Sequence, residues 1–395
     1  MELLTGRKSL RYLGVLAMLA VIFGLCCQGR LVVPDAFEPG GGWPMLGGNS
    51  GHTGQYYGDI RLPMHLLWRF RTKGPIVSSP AVVDGLVCIG SLGKRFYLLS
   101  ARDGRPYSFL KVGSSISASP AIGVRTVFFG TEFGDDGVYA LDLINGDMRW
   151  KKDIPDVSAS LTLAGRVVFV SSGSGSIHAL STEDGQELWR FQTEGRTSTA
   201  AAFMRGMIYL GSAEGFVYAL EADTGREAWR RELGGSIWSS PIAHEGHIYV
   251  SSFDGKIHAL REDDGEVVWS FQTEGDLSSS PAVCHGTVYT GSDNGTLYAL
   301  NATNGTLNWS FTVGSPILSA PLGNGQVVIF GASNGVLYAL DAETGELNWS
   351  HRTGRAIVSS PAAWEGRIYV GSMDGYLYAF GAGEEDEGAH GQVIP

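Results

Sequence analysis

The chain has 395 residues, 44% of them hydrophobic and 17% charged, with 56 glycines and a formal net charge of −11. That balance excludes a phosphate-binding surface of the nucleic-acid type, which needs clustered Lys and Arg. It supplies apolar mass for a large core and glycine for many tight turns.

Residues 1–27 read as a targeting segment. Arg7, Lys8 and Arg11 precede an uncharged, mostly apolar run from Tyr12 to Cys27. The run is shorter than the roughly 20 residues of a full membrane span, which favours an export signal over a retained anchor. Cys26 and Cys27 end it, where a bacterial lipoprotein carries its acylated cysteine. They are lipidation candidates, although Phe23-Gly24-Leu25 offers no small residue just ahead of Cys26. Residues 28–60 form a lead, opened by Gly40-Gly41-Gly42. Its segment Trp43-Pro44-Met45 through Gly54 is expected to pack on one face or the rim of the domain that begins at residue 61.

An internal repeat dominates the rest. Ser-Ser-Pro occurs at 78–80, 239–241, 279–281 and 359–361, and degenerate copies end at Pro120, Leu161, Ala201 and Pro321, a spacing of 40 or 41 residues. In step with it run Tyr97, Tyr139, His178, Tyr218, His258, Tyr298, Tyr338 and Tyr378, each but the first preceding Ala-Leu or Ala-Phe. A tryptophan closes most units: Trp150, Trp189, Trp229, Trp269, Trp309 and Trp349. Period-2 segments such as Val288-Tyr289-Thr290 predict strands, and Asn-Gly or Asp-Gly turns predict hairpins with positive φ at both central residues. Four strands every 40 residues predict an all-β, eight-bladed β-propeller of four-stranded antiparallel blades over residues 61–380.

The eighth unit ends at Tyr378-Ala379-Phe380 without its tryptophan strand, and an orphan Leu67-Trp68-Arg69-Phe70 precedes the first unit. The expectation is a ring closed by this N-terminal strand. Residues 381–395 are glycine-rich and acidic and read as a disordered tail. Cys88 and Cys284 fall at different strand positions, which predicts two small buried hydrophobes rather than a disulfide.

The segment Ala339-Leu340-Asp341-Ala342-Glu343-Thr344-Gly345-Glu346-Leu347-Asn348-Trp349 resembles the pyrroloquinoline-quinone-like propeller repeat, A-x-D-x-x-T-G-x-x-x-W. Ala219 to Trp229 matches it with Glu221 for the aspartate, and blade one departs from it with Ser108 in the tryptophan position. The resemblance implies that each tryptophan packs between neighbouring blades against the glycine turn. It leaves two branches open: quinoprotein dehydrogenases, with a quinone and Ca²⁺ on the propeller axis under a disulfide of adjacent cysteines, and catalytically silent exported propellers that are BamB-like. The length and the Trp43-Pro44-Met45…His52-Thr53-Gly54 lead resemble the second branch.

The residues offer little catalytic chemistry. The densest acidic loop, Asp135-Asp136, reads as a solvated turn; the adjacent cysteine pair lies in the targeting segment; and the nine histidines form no triad pattern. His178 and His258 are expected to be core. Asn294, Asn301, Asn304, Asn308 and Asn348 open N-x-Ser/Thr sequences that arise from favoured turn and strand residues. No catalytic, cofactor or metal residue is assigned. The resemblance puts the loop before each Ser-Ser-Pro at the channel mouth. There Asp156, Arg196, Trp238, Asp276 and Arg355 are the candidate partner-binding residues, and Trp238 stands out among small or aliphatic equivalents.

The expected function is a non-catalytic interaction scaffold at the cell envelope, monomeric and exported, with envelope proteins as partners. The alternatives are a quinoprotein oxidoreductase and a polymer-binding or sensor propeller, for which Trp238 and Trp364 are the candidate exposed aromatics.

Overall fold

Repeat six shows how the sequence builds a blade. Ala282–Cys284, Thr287–Gly291, Thr296–Asn301 and Leu307–Thr312 pair in succession as an antiparallel meander. The first three strands are almost wholly buried and the outermost alternates exposed and half-buried positions. Burial therefore falls from the ring axis to its rim.

The computed structural model describes residues 42–383, in which this unit recurs as eight sheets. The targeting segment with Cys26 and Cys27, the start of the lead and the tail from 384 lie outside the described residues. The hairpin turns are of two kinds. His285-Gly286 holds positive φ at both central residues, 47° and 74°, as do Asp84-Gly85, Arg205-Gly206, Glu245-Gly246 and Glu365-Gly366. At Asn294-Gly295 and Asn304-Gly305 only the glycine does. These turns are longer, and the Asn carboxamide oxygens accept the Thr296 and Thr306 amides at 3.0 Å, so the asparagine caps the turn instead of entering the left-handed region.

The ring closes as expected. His65–Arg71 pairs with Tyr376–Gly381 as the outer strand of blade eight, with Trp68 opposite Ala379. Blades meet through repeated contacts. At six of the eight anchors the residue four positions before is Ile or Val and packs on a strand glycine of the preceding blade, as Ile116 does on Gly90, Ile317 on Gly291, Ile357 on Gly331, and across the closure Ile76 on Gly371. A Cβ on any of these glycines would stand 2.1–2.3 Å from the isoleucine Cγ2.

The tryptophans bridge the outer half of the same seams. Trp68, Trp150, Trp189, Trp229, Trp269 and Trp309 each donate the indole N–H to a backbone carbonyl of the next blade, at 2.8–3.2 Å. The same six rings lie over the turn glycine there, Gly104, Gly185, Gly225, Gly265, Gly305 or Gly345. Trp349 faces blade eight, whose outer strand comes from elsewhere in the chain, and packs on Phe380 at 5.4 Å instead. Cys88 and Cys284 are both free and buried.

Candidate functional site

The Ser-Ser-Pro motif lines the channel, and its two hydroxyls do different jobs. The first ties the entering loop to its own blade: Ser78, Ser239 and Ser319 donate to the carbonyls of Gly90, Ser251 and Gly331 at 2.7–3.0 Å. The second links blades. The amides of Ser79, Ser119, Ala200, Ser240, Ala320 and Ser360 donate to the hydroxyls of Ser119, Ser160, Ser240, Ser280, Ser360 and Ser79. The circle is interrupted where Ala200 and Ala320 bring no hydroxyl. Between blades six and seven, Ser279 donates to the Ser319 carbonyl at 2.8 Å instead.

The two ends of the channel differ. At the end nearer the first hairpin turns, residues 42–56 form a strap across the inner strands. Gly42–Trp43 adds a strand to blade one. The carbonyls of Pro44, Ser50, Gly51, Thr53 and Gly54 then accept the amides of Ile122, Phe203, Ala243, Val283 and Gly323 at 2.7–3.1 Å. His52 bonds Thr162 of blade three, and the Tyr56 hydroxyl accepts the Gly366 amide of blade eight. The strap thus touches every blade. Gly54, at φ 70°, lies so close to Ala282 and Pro321 that a Cβ would clash. The lead packs on one face, as the sequence suggests, but it also seals the channel there, which no local pattern announces.

The other end is open and carries the candidate residues. Each loop before a Ser-Ser-Pro is bonded to the middle hairpin turn of its own blade: the Asp156, Arg196, Ser236 and Asp276 carbonyls accept the Gly173, Ala213, Phe253 and Asp293 amides at 2.8–2.9 Å. Asp156 and Arg196 meet at 3.3 Å and span blades three and four, the seam where Ala200 interrupts the serine circle. Asp156 also receives a contact from the neighbouring acidic loop, its amide donating to Asp136 at 3.4 Å. Asp276 and Arg355 are exposed and form no ion pair among the described residues. Trp238 is 39% exposed, with Phe253 of the same blade 39% and Leu318 of blade seven 37% exposed. Trp364, by contrast, is buried at 8% in the seam beside the strap and is no surface aromatic.

Beside Asp156 and Asp136 stands Glu132, almost fully buried; burial, reinforced by those two carboxylates, pushes its pKa up. Asp135 pairs with Lys151. These acids point to separate partners, and among the described residues no group of three or more His, Cys, Asp or Glu is placed to hold a metal ion.

One constellation was missed from sequence. The Ser176 hydroxyl lies 2.9 Å from His178 Nε2, and His178 Nδ1 lies 2.8 Å from Glu187. The order matches a nucleophile, base and orienting acid. Ser176 and His178 are each only 5% exposed, however, inside the strand Ser176–Ser181. Burial lowers the His178 pKa despite Glu187, and the His178 contact lowers that of Glu187. The trio is a satisfied histidine in the repeat's tyrosine slot, where Tyr218 and Tyr298 accept backbone amides instead. His258 is likewise buried and bonds Ser270 at 2.7 Å.

A closed ring of eight four-stranded blades, bridged at six seams by tryptophan and lined with serine at its axis, defines the propeller class. The family model described as outer membrane protein assembly factor BamB matches residues 65–177, 134–215, 173–282 and 253–384, and the chain belongs to that family. Its structure is similar to BamB from Moraxella catarrhalis, at TM-score 0.71 and 20% identity, covering 81% of this chain and 100% of that one. It is also similar to a europium-containing methanol dehydrogenase (TM-score 0.77, 14% identity, 87% and 98% covered). A quinohemoprotein alcohol dehydrogenase from Pseudomonas putida HK5 matches at TM-score 0.76 and 14% identity, with 93% and 85% covered. No curated protein sequence matches the chain. At these identities the structural likenesses show the fold alone.

Proposed function

We propose that this chain is a non-catalytic interaction scaffold of the cell envelope that docks an envelope protein at its open mouth. The observation that carries the reading is the exposed Trp238, set with Phe253 and Leu318 at the end of the channel the strap leaves free. A large aromatic on a rigid ring is the kind of residue that dominates binding energy, and the polar rim around it excludes water. Membership in the BamB family supports an envelope setting, and export would be supplied by residues 1–27.

A photo-crosslinking residue at Trp238 in cells should yield a discrete adduct, and one at Val268, on the outer strand, should not. Trp238→Ala should weaken capture of that same adduct partner by roughly tenfold or more. Adducts from Val268 alone would move docking to the strand edges; none from either position would end the scaffold reading.

The structural likeness to quinone-dependent dehydrogenases supports a second reading, an oxidoreductase. The residues present do not fit that group: Asp156 is spent on Arg196, Asp135 on Lys151 and Asp136 on backbone amides. Titration with pyrroloquinoline quinone and Ca²⁺ should show no sub-micromolar binding. Tight, saturable quenching of tryptophan fluorescence would replace the scaffold by the oxidoreductase.

A further inference from the structure

We propose that residues 42–56 are a detachable seal of the channel, latched by the contact of His52 with Thr162, and that protonation of His52 releases it. The inference is independent of any partner at the opposite mouth.

Ring closure and the repeated links between blades are made outside the strap, although its Trp43 and Met45 are buried among ring residues. Closure is made by His65–Arg71 on blade eight, and the blades are linked by tryptophans, isoleucines and serines outside the strap. The amides that the strap caps belong to inner strands facing the channel, so water replaces the strap carbonyls when it leaves. Its loss is therefore a local opening and not an unfolding of the propeller.

His52 is the residue at which the strap is least comfortable. Its backbone holds φ 57°, a left-handed conformation that costs a residue with a Cβ. Its ring is 3% exposed; Nε2 lies 2.9 Å from the Thr162 hydroxyl and Nδ1 is buried without a partner. Thr162 of blade three stands against the ring, Gly47 of the strap's own turn lies against the His52 backbone, and Ser240, Ser280 and Ser360 of the inner strands line a small cavity together with His52. None of these ionises, and none brings a carboxylate to hold an imidazolium. Burial accordingly lowers the His52 pKa from 6.5 to about 4.

With the sealed-state pKa below that of the released state, the seal is fully favoured above pH 6.5 and weakens as pH falls towards 4. Between pH 8 and pH 5 the released population should rise about thirtyfold.

Native-state hydrogen exchange of the full propeller reads this at the capped amides of Ile122, Phe203, Ala243, Val283 and Gly323. After correction for intrinsic exchange rates, their protection should fall about thirtyfold from pH 8 to pH 5. Protection in the second strands, such as Thr287–Gly291, should change much less. In His52→Gln, protection of the capped amides should no longer depend on pH. If that variant loses the seal at both pH values, Thr162→Val decides: it keeps the histidine, so weaker protection with the same pH dependence supports the latch. Equal wild-type protection at both pH values overturns the proposal. So does a pH dependence that survives in His52→Gln or vanishes in Thr162→Val.

Discussion

At the scale of single residues, the second serine of Ser-Ser-Pro shows how much a one-atom difference decides. Ser240 accepts the Ala200 amide at 2.9 Å, but Ala200 offers nothing to the Ser160 amide of the preceding blade. Ala200→Ser should supply that acceptor and stabilise the ring by about 0.5–1.5 kcal/mol, while Ser240→Ala should cost a similar amount. Equilibrium denaturation of the two variants checks both signs. An unchanged Ala200→Ser would mean that Asp156 and Arg196, which span the same seam, already hold it as tightly as a hydroxyl would. The recurrence of these serines was plain in the sequence. Their purpose was not, because a hydroxyl that bonds within a blade and one that bonds between blades are the same letter.

At the scale of elements, six of the eight seams rest on a tryptophan from one blade and a glycine turn from the next. This pairing was implied by the repeat motif, and Trp68 of the orphan strand obeys it over Gly104. Two glycines separate the two demands that such turns make. Gly305 holds φ 70° and a Cβ there would stand 2.5 Å from the Trp269 ring; Gly286 holds φ 74° with open space around it. Gly286→Ala should cost about 1–2 kcal/mol for the left-handed backbone alone. Gly305→Ala should add a steric term and cost about 2–4 kcal/mol. Thermal unfolding of the pair tests the difference, and equal losses would show that the indole shifts freely. The turns were read less well than the strands. Both kinds carry glycine second, and only the span of the turn and the asparagine cap decide whether the first residue also crosses to positive φ.

At the scale of the molecule, blade number, closure and the buried cysteines were legible because each rests on a period or a missing copy. The strap was not, since Trp43 to Tyr56 has no counterpart in the repeat and bonds mainly through its backbone. The mouth was legible in part: Trp238 stood out against its equivalents, whereas the Asp156–Arg196 contact joins residues that sequence treats as separate candidates. The Ser176–His178–Glu187 chain escaped because Glu187 lies across a bulged strand pairing, where simple register counting fails.

Closure also fixes an order of events. The outer strand of blade eight precedes the whole repeat in sequence, and its partner is the last strand of the repeat; Thr72 and Gly375, bonded at that joint, are 303 positions apart. Contacts this distant in sequence are slow to form. Until the final blade arrives, His65–Arg71 waits with an open hydrogen-bonding edge, and the Trp68 ring lacks the blade-eight side of its seam. The propeller therefore cannot mature blade by blade into a finished ring during synthesis. Its last joint is made all at once, by the two ends of the propeller meeting.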